Sequence, residues 1–223
     1  MGTCTCLTLG YLLGSLSPSA LISKLKNKNL REHGSGNLGA TNTMLVFGWS
    51  YGILVMVFDV FKAIFASRLA RMLFPQLYLA GMLAACGAVI GHIFPFYLKF
   101  HGGKGVACFA GLLLTYNIGV FFVLLAMAVT MMIVVDYGVA GPVTAAVLFP
   151  VFVAMQTRNV FMTILTAMIG LLIIMKHREN FRNIKNGEEI HLRAFFGAKL
   201  QRHCLTEGDE ADDNNQLQKG ITG

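Results

Sequence analysis

The sequence predicts an all-α integral membrane protein: a seven-transmembrane-helix bundle with its N-terminus outside and its C-terminus cytoplasmic. Three observations carry that expectation. Hydrophobic residues make up 55% of the chain and charged residues 13%, with a mean hydropathy of +0.63. That is too little charge to cover a soluble domain of this size. Apolar runs approaching the ~20 residues of a bilayer crossing recur along the chain. Basic residues flank alternate runs, as the positive-inside rule expects of cytoplasmic loops.

The spans follow in order. The first covers roughly 3–23, the second roughly 44–67 and the third roughly 76–98. From Gly105 to Val135 the chain carries no charge. That stretch is too long for one crossing and short for two, so it divides near Tyr116-Asn117. Its first half becomes a short helix that starts below the membrane surface. Two further spans cover roughly 138–157 and 159–175. The N-terminus lacks the cationic lead of a secretory signal, so the first helix is expected to be retained. Residues 1–190 then form one membrane-embedded domain. Residues 191–223 form a cytoplasmic tail, largely disordered from Glu207 onward because it is acidic, polar and poor in bulky apolar residues.

Sidedness tests the count. Lys24, Lys26, Lys28 and Arg31 follow the first span, Lys99 and Lys104 the third, and Lys176, Arg178 and Arg182 open the tail. Putting all three groups in the cytoplasm is compatible with seven crossings and not with six. Arg68, Arg71 and Arg158 then fall on the outer side, against the rule. The acidic residues are also unevenly placed: only Glu32, Asp59 and Asp136 precede Met175, and eight of the eleven lie at Glu179 or beyond.

The net charge of +7 does not indicate a nucleic-acid partner, because the cations sit beside apolar spans and form no basic face with interleaved aromatics. Five cysteines without a C-x-x-C pair suggest neither a zinc site nor a disulfide framework, but small thiols buried in the membrane. No metal is expected.

Chemistry concentrates in three connectors. The first is Gly34-Ser35-Gly36-Asn37-Leu38-Gly39-Ala40-Thr41-Asn42. Its glycines allow positive φ and close approach of backbone N–H groups to an anion, and Ser35, Asn37, Thr41 and Asn42 add short polar side chains. The next helix starts near Thr41 and turns its positive end to the loop. A flexible turn with a good N-cap is the alternative. The second is Gly91-His92-Ile93-Phe94-Pro95, then His101-Gly102-Gly103-Lys104-Gly105-Val106-Ala107. Glycines and a lysine opening a helix suit a phosphate. The spacing is not that of a Walker A loop. Lys104 could otherwise be an interfacial lysine reaching for water, and His92 a packing histidine. The third is His177-Arg178-Glu179-Asn180 with Gly187-Glu188-Glu189. His177 could serve as a base or a phosphate donor, or the segment could be an ordinary flank of the last span. Within the second span, Asp59 and Lys62 lie three apart. They read as an inward-facing ion pair, structural or catalytic.

Taken together, Ser35-Gly36-Asn37-x-Gly39-Ala40-Thr41-Asn42, Gly91-His92-x-Phe94-Pro95 with Gly102-Gly103-Lys104-Gly105-Val106-Ala107, and His177-x-x-Asn180 with Gly187-x-Glu189 resemble the bacterial acyl-phosphate-dependent glycerol-3-phosphate acyltransferases. The resemblance runs from about Ser17-Pro18 to Glu189 and takes in Asp59-x-x-Lys62. It implies seven helices in the bacterial inner membrane, an active site facing the cytoplasm, and acyl phosphate and glycerol 3-phosphate as substrates. It implies no metal or cofactor and leaves protein partners unknown. Ser35, Lys104, His177 and Asn180 become candidate catalytic residues. Gly36, Asn37, Gly39, Thr41, Asn42, His92, Gly102, Gly103 and Gly105 become candidate substrate-binding residues. Asp59, Lys62, Gly187 and Glu189 are assigned to structure. In this reading Lys104 and the N–H groups of Gly102 to Gly105 hold one phosphate.

One departure stands out. The family usually has an arginine three residues after the Asn of the first motif, and this chain has Leu45. Leucine offers no bidentate phosphate clamp. That leaves weakened affinity, altered substrate choice, or a substitute cation such as Arg31 or Lys28. Cys108 stands where the family has threonine, a milder change. Two rivals follow: a paralogue on the same scaffold with weak or altered activity, and an organic-phosphate transporter. A transporter would show repeated halves with interrupted helices, and the sequence shows none.

Overall fold

A computed structural model describes residues 2–194, and the regular structure within them is all helical apart from one isolated bridge between Tyr137 and His191. The tail expected to be disordered lies outside the described residues.

The first span divides into α1 (Gly2–Ser15) and α2 (Pro18–Leu25). Ser17 caps α2, its hydroxyl accepting from the Ala20 N–H at 3.3 Å, and Pro18 fills the first helical position. The second span also differs from expectation. Gly48, at φ +94°, separates α3 (Ala40–Phe47) from α4 (Trp49–Leu73), so residues 44–47 belong to the shorter helix. α5 (Ala80–Ile93) follows, then a 3-10 turn at Phe96–Leu98. The split at Tyr116-Asn117 appears as α6 (Val106–Tyr116) and α7 (Ile118–Val135), with the Asn117 carboxamide accepting from the Val120 N–H. α8 (Ala140–Thr157), α9 (Val160–Lys176) and α10 (Arg178–Asn186) complete the described chain, α10 bending 43° from α9.

α5 forms the centre. Nearly all of it is buried, and its Ala84, Ala85 and Ala88 are wholly covered. The outward faces are apolar instead: Phe61 on α4, Val134 on α7, Met155 on α8 and Leu171 on α9 are exposed. Such a belt suits hydrocarbon rather than water. Four helical stretches among the described residues are long and apolar enough to cross a membrane, and a fifth if α9 and α10 count together. α4 is longer than any of those four and carries Asp59 and Lys62.

The α1–α5 contact depends on small residues on both sides. A Cβ on Gly10 would lie 1.9 Å from the Ala84 carbonyl oxygen, and one on Gly14 2.1 Å from that of Ala88. Reciprocally, Cβ atoms on Gly87 and Gly91 would meet the Leu7 and Tyr11 carbonyl oxygens at 2.3 and 2.1 Å. These are two facing small-xxx-small pairs, which let helix backbones touch where no hydrophobic drive separates lipid from leucine.

Gly87→Leu should therefore force α1 off α5. We expect overpacking to cost at least ~1–3 kcal/mol, read as a lower unfolding temperature in detergent and a loss of monodisperse protein. An unchanged unfolding temperature would contradict this packing.

Candidate active site

The first motif loop folds around a side chain. Gly34 and Gly36 adopt φ +60° and +66°, which turn the chain about Asn42. Asn42 is buried; its Oδ1 accepts from the Ser35 N–H at 2.8 Å, and its Nδ2 donates to the carbonyls of Leu30 (3.0 Å) and His33 (3.1 Å). This corrects the expectation that Asn42 offers its side chain to substrate: three of its hydrogen-bonding positions are already committed to the loop. Ser35, Asn37 and Thr41 differ. None of their side chains makes a hydrogen bond among the described residues. Gly39 caps α3 without a side-chain bond, so the open N–H groups of the first turn face the same loop.

The second motif loop returns to the end of α5. Lys99 and Phe100 take positive φ and reverse the chain. The Gly102 N–H then donates to the Ile93 carbonyl at 3.1 Å, and the Gly103 N–H to that of His92 at 3.2 Å. A second correction follows: these two donors close the loop and are not free to hold phosphate. The glycines are needed for space instead. A Cβ on Gly102 would lie 2.0 Å from the His92 carbonyl oxygen, and one on Gly103 2.2 Å from His92 Nε2 and 2.9 Å from the Leu38 oxygen. The first and second loops thus touch at Leu38 and Gly103. Arg31 fastens them further, donating to the carbonyls of Leu98 (3.2 Å) and His101 (2.8 Å). The Lys104 and Gly105 N–H groups stay uncommitted among the described residues. Gly105, at φ +87°, starts α6.

The third motif meets the second directly. Lys104 Nζ donates to Asn180 Oδ1 at 2.5 Å, and Asn180 Nδ2 donates to Glu189 Oε1 at 2.6 Å. Gly187, at φ +74°, ends α10 and lets the chain turn so that Glu189 reaches back. A cation, an amide and a carboxylate stand in line, which fixes the orientation of the amide and aims the ammonium. Burial pushes the Lys104 amine below its ordinary range, opposed by the carboxylates of Glu189 and Glu179.

His177 caps α9 and is buried. Its Nδ1 lies 2.8 Å from the Ile173 carbonyl, which only accepts, so Nδ1 carries the proton. In the neutral ring Nε2 is then a bare acceptor. Burial holds the imidazole below its ordinary 6.5; the Ile173 bond opposes this, Lys104 adds to it, and Glu189 opposes it. His177 is therefore neutral at physiological pH.

Beneath the loops lies a buried charge network. Lys62 Nζ contacts Asp59 Oδ1 at 2.7 Å, the Leu16 carbonyl at 2.9 Å and His92 Nδ1 at 3.0 Å. His92 Nδ1 also stands 3.2 Å from Asp59 Oδ1. Asp59 and Lys62 thus pair as the spacing predicts, and they hold His92 with its Nε2 turned toward Gly103.

Several supports went unread in the sequence. Tyr11 donates to the Phe94 carbonyl at 2.8 Å, Tyr97 to that of Ser15 at 2.7 Å, and Ser19 to that of Leu38 at 3.2 Å. They pin the α1–α2 break to the first two motif loops. Ser17-Pro18 is a cap signature that could have marked the break, but nothing local marks bonds that span some eighty residues, as those of Tyr11 and Tyr97 do.

The geometry agrees with comparisons to known proteins. The sequence model of the family described as glycerol-3-phosphate acyltransferase matches residues 4–187. A glycerol-3-phosphate acyltransferase of Geobacillus kaustophilus is 36% identical over 188 residues, covering 84% of this chain and 94% of the relative. One from Wolbachia pipientis is 35% identical over 183 residues, covering 82% and 94%. Among solved structures, the glycerol 3-phosphate form of PlsY, an integral membrane glycerol 3-phosphate acyltransferase, superposes with a TM-score of 0.77 at 30% identity, covering 86% of this chain and 96% of that one. The lysophosphatidic acid form of PlsY gives 0.75 at 29%, covering 88% and 100%. From its helices, its three joined motif loops and these likenesses, the chain is an integral membrane protein that belongs to the glycerol-3-phosphate acyltransferase family.

Proposed function

We propose that this chain transfers a fatty acyl group from acyl phosphate to the 1-hydroxyl of sn-glycerol 3-phosphate, giving lysophosphatidate and phosphate. The observation that carries this is the line from Lys104 through Asn180 to Glu189, set beside the bare Nε2 of His177. It offers a cation for phosphate and an acceptor for a hydroxyl proton in one place. The acceptor substrate rests on family membership, since the solved PlsY structures are of glycerol 3-phosphate and lysophosphatidic acid forms. The donor rests on the motif resemblance and on chemistry. Among the described residues no histidine is bonded to a serine hydroxyl or a thiol, so the donor itself should be activated. An acyl phosphate is an anhydride and satisfies that need.

In this reaction the glycerol oxygen bonds to the acyl carbon, and the acyl carbon–phosphate oxygen bond breaks. Phosphate leaves with the electron pair. The hydroxyl proton passes to His177 Nε2 or to an oxygen of the departing phosphate. Lys104 and its own N–H stabilise that phosphate, with the Gly105 N–H beside them. Ser35, Asn37 and Thr41, with the open end of α3, hold the second phosphate or the glycerol hydroxyls; Gly36 and Gly39 shape that loop. His92 and the pair of Gly102 and Gly103 position the Lys104 loop from below. Asp59, Lys62, Gly187 and Glu189 keep structural roles.

We also infer seven crossings, counting α1 with α2, then α4, α5, α6, α7, α8 and α9 in turn. The motif loops and their basic flanks then face the cytoplasm of a bacterial cell and the N-terminus lies outside, in keeping with the positive-inside rule. Residues 1–190 act as one domain.

Three measurements test this reading in purified detergent micelles, with phosphate released from acyl phosphate upon adding glycerol 3-phosphate. Lys104→Ala should lower kcat/KM on the order of a hundredfold; wild-type turnover in a folded variant would refute its role. The activity of the intact enzyme should fall in acid, at a pH below that of an ordinary histidine's titration, as His177 protonates. A limb unchanged in His177→Gln would assign the proton to substrate phosphate instead. Leu45 is exposed on α3, and Arg31 is already bonded to two carbonyls. Leu45→Arg should therefore lower the KM for glycerol 3-phosphate roughly tenfold or more, as a regained charged contact implies. An unchanged KM would show that another cation already fills that place.

A further inference from the structure

The end of the bundle away from the motif loops carries charge that acyl transfer does not use. Arg68 and Arg71 lie on the last turns of α4, and Arg158 lies in the α8–α9 turn. Among the described residues no carboxylate stands there. Glu32 lies in the segment before the first motif loop, and Asp59 is tied to Lys62. Asp136 meets His191 and Arg193, while Glu179, Glu188 and Glu189 belong to the third motif. These arginines are also the ones that break the positive-inside pattern.

A recess of about 180 Å³ opens between α4 and α6 at this end, lined by Ile64, Ser67, Arg68, Arg71, Leu114 and Thr115. It is shaped to keep Arg71 in place. The guanidinium donates to the Thr115 carbonyl at 3.1 Å. Gly81 provides the room: a Cβ there would lie 2.3 Å from Arg71 Nε and 2.7 Å from Ser67 Oγ. Ser67 is buried, and among the described residues its hydroxyl is the one buried side-chain polar atom without a partner. A helical serine would ordinarily turn back to a carbonyl one turn earlier. Two arginines and a serine whose hydroxyl is unpaired thus line one small space. Arg71 also borders a larger recess of about 670 Å³, whose walls mix apolar Phe74, Leu77 and Met162 with polar Tyr116, Gln156 and Asn159.

We propose that the two recesses form one binding site for an anionic, phosphate-bearing amphiphile, distinct from the motif loops. Arg68, Arg71 and Ser67 Oγ take the phosphate, since the guanidinium fork matches its oxygens. The larger recess takes apolar parts of the same molecule. This site does not depend on the reaction assigned to the motif loops.

Thermal unfolding of the full chain, delipidated in neutral detergent, tests the site. Phosphatidylglycerol should raise the unfolding temperature by several degrees, as a ligand bound only to the folded state does. Phosphatidylcholine and inorganic phosphate at the same concentration should not. The rise should vanish in an Arg68→Gln, Arg71→Gln double variant. If that variant does not fold, Arg68→Gln alone should weaken it, because Arg68 is exposed and substitutable. An equal rise with phosphatidylcholine, an equal rise with inorganic phosphate, or a full rise retained in the folded variants would each overturn the proposal.

Discussion

The structure depends on keeping one ammonium satisfied inside a membrane. Lys62 has three partners: the Asp59 carboxylate one turn earlier, the Leu16 carbonyl where α1 gives way to α2, and His92 at the end of α5. A charge at such depth costs several kcal/mol if unpaired, and breaking a buried pair by removing one partner costs about 3–5 kcal/mol. Such a pair adds little net stability over an apolar substitute. It does specify position, because it demands all of its partners at once. Here those partners are the break in the first span, the middle of α4 and the foot of the second motif loop.

The motif-loop end is built outward from that network. His92 sits between Lys62 and Gly103, and the glycine pair closes onto the His92 and Ile93 carbonyls. That closure fixes the backbone leading into Lys104, and Asn180 and Glu189 set where its side chain points. Three loops far apart in sequence become one site through few contacts: Leu38 against Gly103, Arg31 on the second loop's carbonyls, and Lys104 on Asn180.

The helices were legible because hydrocarbon imposes a length and forbids unpaired charge, and both constraints are local in sequence. The division at Tyr116-Asn117 could be read because a charge-free run of that length has few alternatives, and Asn117 is a good cap. The break at Gly48 could not, since a glycine at positive φ resembles one packed against a neighbour. The facing pairs Gly10, Gly14 and Gly87, Gly91 were present as a spacing of four and went unread. In the site, residue types pointed to a phosphate-friendly loop but could not show which donors stay open. Whether a glycine N–H is free depends on which carbonyl lies opposite, and Gly102 and Gly103 find theirs nine and eleven positions back in the chain. Asn42 looked like a ligand for the same reason that it serves as a brace: a carboxamide both donates and accepts.

The shortness of α6 has a consequence for any lipid that reaches Lys104. Its 11 residues span roughly 16 Å, whereas the neighbouring α7, with 18, spans roughly 27 Å. Both helices meet at Asn117, so the glycine loop that opens α6 lies roughly 10 Å deeper than the other end of α7. An amphiphile can present its head group there while its chain stays in hydrocarbon. No methylene has to be drawn into water, at about 0.8 kcal/mol each, for the ends to meet.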